Sequence, residues 1–219
     1  MSTVIRSSNF HLDNSWPRLD RYSLSLLELQ RDPYYTYLPE EEVSTYVEKA
    51  IEVGIAAATN YIMMDHLTFF RRVMQAGLRI QLCASHPEQP TIRAQYHRKK
   101  QTIFIYKNSM TEIKQWIPHA TELDLLALHT YHEWFHHLET TTLGKTDRQL
   151  PAVTIKRNGP FIKKRRLAHL REIAAHAFTE TALRLDWSPL LLDQYRYHLE
   201  QGRSKAQIRE LFYAIMEKK

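Results

Sequence analysis

The sequence predicts an α+β protein, mainly helical, with a small sheet that includes an antiparallel hairpin packed beside a long helix over residues 123–139. Three observations carry this. Apolar residues recur at helical spacing between residues 43 and 76, alternate between 78 and 106, and return to helical spacing after 121. Composition agrees with a folded globule: 43% of the 219 residues are hydrophobic and 25% charged, near the globular average. Five glycines and nine prolines exclude a collagen-like or low-complexity chain. No apolar run approaches the roughly 18 residues of a membrane span. The polar stretch Met1 to Leu12 lacks the apolar core of a signal peptide.

The elements follow in order. Residues 1–38 show no clear period and read as an N-terminal arm, extended or in short helices on the body. Pro39 suits a first helical position, and Glu40, Glu41 and Glu42 suit the positive end of the helix dipole. That helix is predicted to run to about Met64. Asp65 caps a second helix over 66–76, closed by Gly77. Leu78-Arg79-Ile80-Gln81-Leu82 alternates as a strand does. Residues 91–97 and 102–106 form two more strands, joined at Arg98-Lys99-Lys100-Gln101. Thr121 and Asp124 form a capping box for the helix Leu123–Glu139. A basic loop follows, broken by Pro151, Gly159 and Pro160. Helices are then predicted over 166–186, from Ser188-Pro189 to Gly202, and over 204–217.

One cysteine, Cys83, excludes a disulfide scaffold and points to a reducing, cytoplasmic setting, with Cys83 as a small buried apolar residue. The net charge of +6 permits an anionic partner without demanding one. Histidine is the outlier. There are twelve, and His119, His129, His132, His136, His137, His169 and His176 fall in one stretch.

Within it, His132-Glu133-Trp134-Phe135-His136 places two imidazoles four residues apart on one helix face, where both can converge on one metal ion. Glu133 is positioned as general base on the water that such a metal activates. Zinc suits imidazole nitrogen, and a catalytic zinc takes three protein ligands. The third must come from another element. Glu172, in the next strong helix, is the first candidate, because Ala174, Ala175 and Ala177 allow that helix a close approach. His129, Glu139 and His176 are candidates to orient the ligands, with His176 also a rival ligand and His169 a weaker one. His137 points away and reads as a surface or packing residue. Tyr96, His97, Tyr106 and Tyr131 are candidate donors to a developing oxyanion.

At these residues the chain resembles the ImmA/IrrE-like zinc peptidases, a gluzincin-type group. The likeness rests on His132-Glu133-Trp134-Phe135-His136, on Glu172-Ile173-Ala174-Ala175-His176-Ala177-Phe178, and on the order of elements over roughly residues 43–187. It implies a zincin-like metallopeptidase domain over 39–187, with 188–219 a C-terminal helical extension of it. It implies Zn²⁺ held by His132, His136 and Glu172, Glu133 as catalytic base, and hydrolysis of a peptide bond in a protein or peptide substrate. No DNA-binding helix-turn-helix precedes the peptidase part, which some members of the group carry.

The competing reading is a basic regulatory protein that binds nucleic acid or a partner and keeps a structural or inactive metal site. Its sequence feature is the run Lys156, Arg157, Lys163, Lys164, Arg165 and Arg166. No recognisable nucleic-acid motif accompanies the run, which reads as a solvated loop. The intact Glu133 and the shortage of cysteine favour the peptidase.

Overall fold

The computed structural model describes residues 10–89, 91–158 and 161–217. Residues 1–9 of the arm, and the breakers Gly159 and Pro160, lie outside them. The architecture is α+β and mainly helical. In chain order the elements are α1 (Arg21–Gln30), α2 (Val43–Ala58), α3 (His66–Gln75), β1 (Arg79–Cys83), β2 (Ala94–His97), β3 (Thr102–Tyr106), α4 (Lys107–Lys114), α5 (Glu122–Thr141), β4 (Val153–Asn158), β5 (Phe161–Arg165), α6 (His169–Leu183), α7 (Leu190–Glu200) and α8 (Lys205–Glu217).

Local chemistry sets most of the boundaries. The Asp65 carboxylate accepts from Thr68 N and starts α3. Gly77, at φ +83°, turns the chain from α3 into β1, a left-handed conformation that glycine adopts without steric cost. The Thr121 and Asp124 capping box starts α5, as expected. Asp124 also accepts from His66 Nε2 at 3.0 Å, which ties the start of α3 to the start of α5.

β1 and β3 pair in parallel and β2 and β3 antiparallel, so β3 is central and β2 lies at an edge. One main core joins this sheet to α3, α5, α6, α7 and α8. Inside it Phe69 of α3 stacks on Tyr131 of α5, with centroids 3.6 Å apart. A smaller cluster holds Leu29, Tyr46, Val47 and Ala50 against Leu150, Val153, Leu167 and Ile173. The closest helix contact is that of α2 with α6. A Cβ on Gly54 would stand 2.2 Å from the Ala174 carbonyl oxygen and 2.9 Å from the Ala177 Cβ. Ala174 and Ala177 of α6, expected to open the way to the metal helix, thus pack against α2.

Several expectations change. The first long helix is shorter than 39–64: α2 covers Val43–Ala58, flanked by 3₁₀ turns at Glu40–Glu42 and Thr59–Tyr61. The helix expected over 166–186 spans only His169–Leu183. The basic loop is the antiparallel ribbon β4–β5; β5 is exposed along its whole length, so it lacks the buried-and-exposed alternation that marks a half-buried strand. Cys83 is only partly buried, on the edge strand β1. Helix α4 was not foreseen, and α1 is one of the short helices allowed for the arm. The arm is woven into the core through Phe10, Leu12, Trp16, Leu19 and Leu24, with Trp16 edge-on to the stacked rings of Trp116 and Tyr195. No helix among the described residues is long and apolar enough to cross a membrane.

Candidate metal centre

α5 carries His132 and His136 one turn apart, and α6 brings Glu172 to them. His132 Nε2 lies 3.2 Å from His136 Nε2 and 3.2 Å from Glu172 Oε2, and His136 Nε2 lies 3.4 Å from Glu172 Oε1. Two ligands about 2.1 Å from a zinc at tetrahedral angles stand about 3.4 Å apart. The three separations therefore fit three corners of a zinc tetrahedron. The donor set, two imidazoles and a carboxylate, is one that zinc accepts.

Glu139 prepares His136 for this role. Its side chain is fully buried one turn further along α5, and its Oε2 stands 3.0 Å from His136 Nδ1 and accepts from Arg171 Nε at 3.0 Å. Its Oε1 accepts from both N and Oγ1 of Thr146, each at 2.8 Å. As a carboxylate, Glu139 requires His136 Nδ1 to carry the proton, which leaves the lone pair on Nε2, the atom that faces Glu172. Burial pushes the Glu139 carboxyl up, but the His136, Thr146 and Arg171 contacts outweigh it and hold the group below its ordinary value.

The same site favours positive charge. Burial alone would lower the His136 pKa; the Glu172 charge, with hydrogen bonds donated to Glu139 and Glu172, raises it to about 10. Glu172 is pushed up by desolvation and pulled further down by His136 and His132, to well below the carboxylate range. Without a metal, these three groups hold a proton where a cation fits.

The centre lies in a cleft of about 680 Å³ floored by α5 and α6 and walled by β2 and α7. Glu133, nearly buried, faces the cleft, and one oxygen accepts the Tyr96 backbone N–H at 2.6 Å. Tyr106 N donates to Arg93 O, so alternation turns Arg93 and Gln95 toward β3 and leaves Ala94 and Tyr96 facing away from it.

The remaining candidates divide. His176 lines the cleft with its ring 4.5 Å from that of His132; its Nε2 bonds Asp193 Oδ2 at 2.7 Å, and Nδ1 has no protein partner among the described residues. His176 therefore stands beside the cluster, and the group that could hold a metal is His132, His136 and Glu172. His129 is buried at the cleft floor, and its Nε2 has no partner among the described residues. Burial, with the Arg93 charge, lowers its pKa to about 3, so this imidazole is neutral. His137 is buried and not a surface residue: its Nδ1 bonds the Tyr96 hydroxyl at 3.0 Å and its ring stacks on Trp134. His169 bonds Glu28, away from the centre. Of the four candidate oxyanion donors only Tyr96 lines the cleft. Tyr131 is locked in the core under Phe69, Tyr106 is buried against His86, and His97 caps the turn after β2.

Asp193 of α7 is a residue the sequence reading missed. It pairs with His176 and with Arg93, whose Nη2 also donates to Leu192 O. Burial pushes Asp193 up, but Arg93 and His176 hold it well below the carboxylate range. The one signal was a lone acid after Leu190-Leu191-Leu192, on a helix beyond both motifs.

Comparison with protein-family models, with curated proteins and with solved structures gives no match to this chain.

Proposed function

We propose that the protein is a zinc-dependent peptidase of the ImmA/IrrE-like kind. One observation carries the reading: three donor atoms with tetrahedral edge lengths stand in an open cleft beside a carboxylate that is not among them. A structural zinc needs four protein ligands, whereas a catalytic one keeps an open position. His132, His136 and Glu172 would hold the ion. When bound there, zinc would supply Lewis acidity, polarising a peptide carbonyl and acidifying a water.

The chain's own groups do the rest. Glu133 takes the proton of the attacking water and returns it to the leaving amine. The Tyr96 N–H fixes the carboxylate so that it need not reorganise as charge moves. The outward edge of β2 offers Ala94 backbone groups to an extended substrate, by strand addition. Arg93 and Asp193 brace β2 against α7 and so hold the cleft walls together.

Glu133→Gln should keep one zinc per chain and lose turnover by about 10²–10⁴-fold, read by elemental mass spectrometry and by peptide cleavage. His132→Ala and Glu172→Ala should lose the metal itself. A Glu133→Gln protein that cleaves at the wild-type rate, or a wild type that takes up no zinc on reconstitution, removes the assignment.

A further inference from the structure

The peptidase reading makes no use of the β4–β5 ribbon. Between Asp147 and Glu172 the chain holds eight Lys or Arg and no Asp or Glu, against a net charge of +6 for the whole protein. The excess positive charge is therefore concentrated in this one segment. Its root is fixed: Val153 is buried in the smaller core cluster, and Arg166 Nη1 donates to the carbonyls of Asp147 and Leu150. Beyond the root every β5 residue is exposed, including Phe161 at 78%. Alternation puts Phe161, Lys163 and Arg165 on one face and Lys164 on the other. Lys156 stands directly opposite Lys163, a like-charge cross-strand pair that weakens a hairpin. A two-stranded hairpin is marginal in water to begin with. An anion beside that pair removes the repulsion.

We propose that β4–β5 is a binding element for duplex DNA, inserted into the major groove and held by phosphates without reading bases. A major groove about 12 Å wide admits a two-stranded β-ribbon. Cations on both faces meet phosphates on both walls, and such contacts position a protein without carrying sequence information. A-form RNA offers only a deep, narrow major groove. The element is separate from the metal centre, so its test is independent of peptidase activity.

The test is fluorescence anisotropy of a labelled mixed-sequence duplex of about 20 base pairs with the full chain, in chelator, between about 50 and 200 mM salt. The logarithm of affinity should fall linearly with that of salt. Lys163→Ala/Lys164→Ala should bind at least about tenfold more weakly at about 50 mM salt and lower the slope by roughly 1.8, about 0.9 per phosphate contact. Phe161→Ala should leave the slope unchanged. Circular dichroism checks folding; if the double variant is unfolded, each Lys→Gln single should lower the slope by about 0.9. Four outcomes overturn the proposal: no duplex binding by the wild type at about 50 mM salt; unchanged affinity and slope in the Lys variants; retention on phosphatidylserine vesicles without duplex binding; or tighter binding to single strands that Phe161→Ala abolishes.

Discussion

Glu139 illustrates how much one buried side chain carries. It accepts from Arg171 Nε and from two Thr146 donors and meets His136 Nδ1, with none of its side chain exposed. A truncation leaves several buried donors unpaired, each costing about 1–3 kcal/mol, and frees His136 to turn or change tautomer. Glu139→Ala should therefore lose metal affinity by about 10–100-fold, the usual cost of removing a partner that orients a ligand. Competition with a chromogenic chelator measures this. An unchanged affinity would mean that helix geometry alone orients His136. The pair His132 and His136 was legible because the spacing of four is a helix property. Asp193 was not, because its place beside His176 depends on how α7 folds back, and no local spacing encodes that.

Among the elements, legibility follows how much of the determining force is local. α3 and α5 were readable because side-chain caps and Gly77 mark their limits. The ends of α2 and α6 were not: neither starts on a side-chain cap, and packing of one on the other decides their extent. α1 has a capping Asp20, yet its serines and polar residues blur the apolar period, and its burial against α6 and α7 is a tertiary effect. The α2–α6 contact also gives the sharpest test at this scale. Alanine is intrinsically better than glycine in a helix by up to about 1 kcal/mol. At Gly54, however, its Cβ would meet the Ala174 backbone oxygen at 2.2 Å, and no rotamer change relieves a clash with backbone. Gly54→Ala should destabilise by about 1–3 kcal/mol, lowering Tm by about 2–4 °C per kcal/mol for a chain of this size. A melt that shows equal or higher Tm would mean that the helices part at little cost.

At the scale of the whole molecule, the candidate metal centre bridges two helices that the β4–β5 ribbon separates in sequence. An ion held by His132, His136 and Glu172 ties α5 to α6 and binds the folded chain in preference to the unfolded one. Zinc at about one hundred times its dissociation constant should add about 2.7 kcal/mol. Chelation should accordingly lower Tm by several degrees in the wild type and leave Glu172→Ala unmoved. Differential scanning calorimetry reads both, and a wild-type Tm indifferent to chelator would count against the site. The fold class was visible in the sequence because it follows from the changes of period along the chain. The packing of the arm through Trp16, Trp116 and Tyr195 was not, since aromatic residues far apart in sequence carry no mark of their partners.

The close approach at Gly54 also bears on the order of events as the chain folds. His132 and His136 come together as soon as one helix forms, a local event on the microsecond scale or faster. Glu172 lies two residues before Ala174, whose carbonyl packs on Gly54 from more than half the chain away, and contacts of that span wait on the closure of long loops. The third donor therefore arrives only when α6 docks. A nascent chain offers a metal two imidazoles but not the carboxylate, and full affinity appears only once α6 has docked, so retained metal would mark the molecules that have passed that step.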